Sequence, residues 1–239
     1  MTAIGWETAE VIATRPLTDS SRSIRLAVRG WTRSLPGQHV DLRLTAEDGY
    51  QAVRSYSLAS SGADSTIELG VDRLPDGEVS PYLVDDLEVG DQLEVRGPLG
   101  GWFVWHAAET RPVQLIAGGS GVVPLVAMIR ARAAAGASAP FRLLYSVRSP
   151  ADALYRSFLE EPPNGTTVDW IYTRQPPLDW PRVAGRLRSD DLDEYAFAVA
   201  DEPLIFVCGS TPFAERVSGL LIDRGHPADA IRIERYGGI

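Results

Sequence analysis

Residues 115–129 read LIAGGSGVVPLVAMI: an apolar run, three glycines around one serine, then a second apolar stretch. Such a pattern describes a strand that turns tightly into a helix. The turn presents backbone N–H groups at a helix N-terminus, where the dipole favours an anion, so it reads as a phosphate cradle. It departs from G-x-G-x-x-G, because Val122-Val123-Pro124 follows the last glycine. Alone, it serves equally well as a strand–helix connection without a ligand. About half the chain precedes it.

Downstream, the rhythm set by this turn continues. Strand VQLIAG leads into helix VVPLVAMIRARAAAG, with Gly136 as its stop. There follow strand FRLLYSV, helix ADALYRSFLEE, strand TVDWIYT, helix SDDLDEY, strand LIFVCG, helix TPFAERVSGLLIDRG and strand IRIERY. Alternating short β and longer α segments predict a parallel sheet with helices on both faces. Upstream, the segments WETAEVIATRPL, SRSIRLAVRG, HVDLRLT, VRSYSLA, STIELGVDR and DQLEVRGP alternate in polarity between glycine-rich turns. Six such strands predict a small antiparallel Greek-key barrel. SPYLVDDL interrupts them as one short helix, with Ser80 as N-cap and Pro81 at the first helical position. The boundary falls near 109–112, giving units 1–110 and 111–239.

The 239 residues are 44% hydrophobic and 23% charged, an ordinary globular balance. The apolar runs are too short to span a bilayer, and MTAIGWETAE lacks the basic-then-apolar layout of a secretory signal. The expected setting is cytoplasmic, without a membrane partner. Net charge is −9, and residues 1–110 carry 9 arginines against 17 carboxylates. That acidic half disfavours nucleic acid, while the second half has arginines available for a phosphorylated ligand. The lone Cys208 cannot hold an iron–sulfur cluster, which needs about four thiolates. His39, His106 and His226 lie far apart and make no metal-ligand spacing. No G-x-S-x-G nucleophile elbow occurs.

Three further stretches carry chemistry. In Arg54-Ser55-Tyr56-Ser57 an arginine able to fork onto a pyrophosphate lies two residues from an aromatic on the same strand face. By itself this is more readily a surface arginine beside a half-buried tyrosine. Gly77-Glu78-Val79-Ser80, at the start of the short helix, offers a second anion site. Cys208-Gly209 closes a strand of the second unit, at the carboxyl end where α/β sheets bind ligands. Glu234 and Tyr236 stand two apart on the last strand.

In order and spacing these stretches resemble the ferredoxin–NADP+ reductase superfamily. RSYS resembles its flavin motif R-x-Y-S, GEVS its flavin-phosphate motif, and GGSGVVP its nucleotide turn, with Ser120 in place of the commoner Thr. CGS and ERY resemble its C-G and terminal E-x-[YF] motifs, so the resemblance covers essentially the whole chain. It implies a flavin-binding barrel over 1–110 and an NAD(P)-binding unit over 111–239. Arg54, Ser55, Gly77, Glu78, and the backbone of Val79 and Ser80 would hold the flavin nucleotide. Tyr56 would pack on its ring, Ser57 would hydrogen-bond near the reactive nitrogen, and Val71 would approach through backbone. Gly119, Ser120, Gly121 and Pro124 would form the nicotinamide-nucleotide turn. Cys208, Gly209 and Glu234 would border the nicotinamide, with Tyr236 near the opposite flavin face. Ser57, Cys208, Glu234 and Tyr236 are thus the implied catalytic set.

The motif pair favours non-covalent FAD over FMN. Arg148 and Arg174, beyond two strands of the second unit, suit a 2′-phosphate and tilt the expectation toward NADP(H) over NAD(H), with Asp152 nearby. The implied reaction moves hydride from NAD(P)H to FAD and electrons onward to a separate acceptor, since the chain has no cluster ligands and ends at Ile239. A ferredoxin, a flavodoxin-like protein, or a haem or molybdenum protein fits that role; the acidic first half opposes docking of an acidic ferredoxin. Two alternatives remain: a reductase that uses flavin as a substrate, and a non-enzymatic electron-transfer subunit of a larger complex.

Overall fold

The computed structural model describes residues 5–236; residues 1–4 and 237–239, the outer ends of the two expected units, lie outside the described residues. The first unit holds β1 (Glu7–Thr18), β2 (Ser21–Val28), β3 (His39–Thr45), β4 (Gln51–Ser57), β5 (Thr66–Asp72) and β6 (Gln92–Leu99). Every ladder is antiparallel, in the order β4-β3-β6-β1-β2-β5, and a bridge between Leu58 and Leu69 brings the two edges together. Alternation puts Ile24 and Leu26 of β2, Leu42 of β3 and Leu69 of β5 inside, where each is fully buried. Removing one such side chain costs about 2–5 kcal/mol.

The second unit has a parallel sheet ordered β11-β10-β7-β8-β9. Its strands are β7 (Val113–Gly118), β8 (Phe141–Val147), β9 (Thr166–Tyr172), β10 (Leu204–Ser210) and β11 (Ile231–Tyr236). Between them run α1 (Val122–Ala135), α2 (Arg156–Glu160), α3 (Ser189–Tyr195) and α4 (Thr211–Asp223). The chain winds from β7 outward through β8 to β9, then returns to lay β10 on the other side of β7. That reversal opens a crevice at the carboxyl ends of β7 and β10, where ligands bind in such sheets. No helix among the described residues is long and apolar enough to cross a membrane.

Two expectations need correction. Ser80 does not cap a helix: its hydroxyl accepts from the N–H of Leu74 at 3.0 Å, tying down the loop before it, and the helical turn is a π-turn at Tyr82–Asp86. A short hydroxyl placed beside an irregular loop satisfied a stray backbone donor there. ADALYRSFLEE is not one helix. A 3₁₀ turn at Pro150–Asp152 precedes α2, and Tyr155 between them takes φ 56° with its ring buried. Burial of that aromatic won over local helix propensity.

The connector after β6 belongs in packing to the second unit. Phe103 meets Phe206 edge to face at 5.2 Å, and Trp105 meets Phe141 likewise at 5.3 Å.

Candidate nucleotide cleft

One cleft of about 1150 Å³ runs along the seam of the two units. From the barrel it is lined by Arg54, Ser55, Tyr56 and Ser57 of β4 and by Gly77, Glu78, Val79 and Ser80. From the wound sheet it takes Gly119, Ser120, Arg148, Arg174, Cys208, Glu234 and Tyr236. Val71, Gly121, Pro124 and Gly209 stand behind this wall, each buried.

The glycine turn is a 3₁₀ turn, Gly119–Gly121, feeding α1. Gly119 has φ +55°, a conformation glycine adopts without steric cost. A side chain on Gly121 would collide with the carbonyl of Cys208, so β10 can pass close only because Gly121 is bare. The first N–H groups of this helical run have no intrahelical acceptor, and Gly119 and Ser120 line the crevice. A bare, N–H-rich cradle of this kind fits a pyrophosphate.

The flavin-side motif is a second fitting surface. Arg54 is half exposed and ion-paired with Glu78, whose other oxygen accepts from the Tyr50 hydroxyl at 3.0 Å. Tyr56 is partly buried against the barrel core, and burial pushes its hydroxyl up to about 12. Ser57, next along the strand, ends β4 at the cleft. The Ser55 hydroxyl instead donates to Asp41 at 2.7 Å, which is also held by Arg96.

At the far wall, Cys208 and Glu234 are register partners on β10 and β11. Cys208 is 2% exposed, and burial raises its thiol well above the ordinary range. Burial likewise pushes Glu234 up to about 7, and its Oε2 is buried without a hydrogen-bond partner among the described residues. Tyr236 lies on the glycine turn: its hydroxyl donates to the carbonyl of Gly118 at 2.7 Å and also neighbours Ser120. The turn and the last aromatic are one assembly.

Several lining residues carry no mark in the sequence motifs. His39 is opposite Ser57 in the β3–β4 ladder and near Glu234. Its place was available from hairpin symmetry about EDGY, which pairs Thr45 with Gln51 and carries inward to His39 and Ser57. Asp72, Arg186 and Arg216 also line the cleft, as does Asp152, which accepts from the Ser149 hydroxyl. Among the described residues no cluster of His, Cys, Asp and Glu could hold a metal ion.

An oxidoreductase FAD-binding domain model matches residues 8–104, and an oxidoreductase NAD-binding domain model matches residues 115–219. The glycine betaine monooxygenase reductase subunit of Chromohalobacter salexigens is 31% identical over 219 residues, 84% of this chain and 56% of that protein. The ferredoxin reductase in carbazole 1,9a-dioxygenase superposes with a TM-score of 0.83 at 26% identity, over 98% of this chain and 70% of that one. The flavohaem-like FAD/NAD-binding domain of nitric oxide dioxygenase from Vibrio cholerae shares the fold over 97% of this chain and 99% of that one, with a TM-score of 0.84 at 24% identity. The chain spans about half the length of the curated relatives it matches. An FAD-binding barrel joined to an NAD-binding wound sheet, with a shared cleft at their seam, makes this chain a member of the ferredoxin–NADP+ reductase superfamily.

Proposed function

We propose that the chain is an NAD(P)H-dependent reductase, with NADPH favoured, that holds FAD non-covalently and sends electrons to a separate acceptor protein such as a ferredoxin. The observation that carries this reading is the seam cleft, which an R-x-Y-S strand and a GEVS turn line together with a glycine turn, Cys208 and Glu234. Bound flavin supplies the means of taking an electron pair and passing electrons on one at a time. The residues of this chain orient and shield. Arg54 and the N–H groups at Val79 and Ser80 would seat the flavin phosphates, and Tyr56 would support the ring. The glycine turn would hold the nicotinamide-nucleotide pyrophosphate. Glu234, Cys208 and Ser57 would exclude water around the meeting point of the rings.

We divide the chain at 1–110 and 111–239, with 100–112 as a connector anchored by Phe103 and Trp105. A cytoplasmic setting goes with this reading, because reduced pyridine nucleotide is supplied there. The single cysteine supports an acceptor centre outside these 239 residues. NADH is the second reading for the donor, favoured by Asp152 in the cleft wall, since a carboxylate suits a ribose diol.

The test is an absorption spectrum of the purified protein, followed by anaerobic NADPH or NADH. A flavin spectrum that bleaches on either addition is expected. A colourless protein that gains nothing from added FAD would count against the reading and favour flavin as a passing substrate.

A further inference from the structure

We infer that Arg130 is a positioning residue that sets the distance between the two halves of the cleft; the inference rests on the reading above. Helix α1 starts at the glycine turn and is apolar nearly all round, with Val122 to Ile129 buried, so it lies between the wound sheet and the barrel. At Gly70 of β5 the two units touch closely enough that a side chain there would come within 2.7 Å of Val123.

Arg130 lies eight residues into the helix, roughly 12 Å from the turn. Its guanidinium donates through Nη1 to Oε2 of Glu68 on β5 at 2.8 Å and to the carbonyl of Ala59 at 2.9 Å. The receiving side is itself fixed. Oε1 of Glu68 accepts from Ser23 at 2.8 Å, the Glu68 N–H donates to Ser60 at 2.9 Å, and the Ala59 N–H donates to the Glu68 carbonyl at 2.8 Å. On the helix side, the guanidinium sits over the rings of Tyr155 and Phe158 at 5.1 and 5.3 Å.

Glu68 leads directly into Gly70 and Asp72, which line the cleft on the barrel side. One side chain therefore ties the helix that carries the nucleotide turn to the strand that borders the flavin side. A surface ion pair would matter little for this. Here the side chains of Arg130 and Glu68 are only 32% and 15% exposed, and a backbone carbonyl shares the guanidinium. Hydride transfer tolerates little slack, since a displacement of about 1 Å can cost on the order of 100-fold in rate.

The experiment compares flavin-loaded wild type with Arg130→Ala, Glu68→Ala and Arg130→Lys. Four quantities are read: flavin content, the NADPH dissociation constant, the long-wavelength charge-transfer absorbance on mixing, and the bleaching rate at saturating NADPH. Arg130→Ala is expected to slow bleaching about 10- to 100-fold and weaken the charge-transfer band, with flavin content and NADPH affinity within about two-fold. Arg130→Lys, which keeps a donor to Glu68, should recover most of the rate. Glu68→Ala keeps the bond to Ala59 and gives an independent reading should Arg130→Ala fail to fold; slowing in it is likewise expected. Wild-type rates in the alanine variants, or slowing that only tracks lost flavin or weakened nucleotide binding, would overturn the role. A flavin-loaded wild type that neither NADPH nor NADH bleaches would overturn the reductase reading, and the positioning role with it.

Discussion

Nδ1 of His39, on the barrel, lies 3.6 Å from Oε1 of Glu234, on the last strand of the wound sheet. The pair joins the two units at the far wall of the cleft, yet it is not a charged bridge. Burial raises Glu234 to about 7, and burial lowers His39 despite the nearby Asp41 carboxylate. Each group is pushed toward its neutral form, so near neutrality Glu234 is close to half protonated beside a neutral imidazole. A carboxyl poised there can hold or release a proton near working pH.

A stability signature follows from the direction of the Glu234 shift. Its folded value, about 7, stands above the usual 4.5, so the folded state resists ionisation more than the unfolded chain does. The penalty is small below pH 4.5, grows between about 4.5 and 7, and levels off above 7 at on the order of 3 kcal/mol. Glu234→Gln in flavin-free protein should therefore be more stable than wild type at pH 8, with the difference vanishing near pH 4. His39 acts in the opposite sense, its burial costing stability as pH falls below its usual 6.5. Urea unfolding at the two pH values measures this; a difference independent of pH would refute it.

The glycine turn should tolerate no side chain at position 121. Gly121→Ala places a methyl group against the Cys208 carbonyl, and both residues are buried. Overpacking of this kind costs typically about 1–3 kcal/mol. The shift would move the N–H cradle as well, so NAD(P)H affinity should fall in protein that remains folded. Thermal unfolding and nucleotide titration read the two effects separately. A fully stable variant with unaltered binding would show that β10 does not press on the turn.

Much of this architecture was legible because local signals agreed with the global fold. Gly136 ends α1 in the left-handed conformation, as the glycine after a periodic apolar run suggests. The six upstream strands kept their alternation because one face of each meets the barrel core. What could not be read came from contacts distant in sequence. Ser80 carries every mark of an N-cap, but the backbone of Leu74 claims its hydroxyl. Tyr155 leaves helical geometry because its ring is needed at the seam beside Arg130. Arg186 and Arg216 reach the cleft from a loop and from α4, and no motif spacing reports where a loop side chain points.

Arg54 and Glu78 should have opposite effects on flavin affinity. They are ion-paired at the barrel edge of the cleft, both about half exposed. A pyrophosphate arriving there competes with Glu78 for the guanidinium and is repelled by its carboxylate. Arg54→Ala removes a charge-assisted donor and should weaken FAD binding about 10- to 100-fold. Glu78→Gln frees the arginine and should tighten binding by a few-fold at low salt, an effect that fades as salt rises. Fluorescence titration of flavin-free protein decides the matter. Two changes of the same sign would mean that Glu78 orients Arg54 for the ligand rather than competing for it.

The proposed preference for NADPH rests on arginines without carboxylate partners. Arg148, Arg174, Arg186 and Arg216 all line the cleft, and none forms an ion pair among the described residues. Arg216 is braced by a bond from its Nε to the Leu187 carbonyl at 3.3 Å. Unpaired guanidinium groups at the ends of β8 and β9 suit the dianionic 2′-phosphate. Asp152 opposes them, but its carboxylate is already engaged by Ser149. Replacing Arg148 and Arg174 together with alanine should lower kcat/KM for NADPH about 10- to 100-fold while leaving NADH within about three-fold, at one or two lost charge-assisted bonds. Raising ionic strength should erode the wild-type preference in the same direction, because a phosphate at a partly exposed site is screened. If the NADPH-to-NADH ratio is the same in wild type and the double variant, these arginines do not read the phosphate. The donor would then be selected by Asp152, and Asp152→Ala should cut the use of NADH.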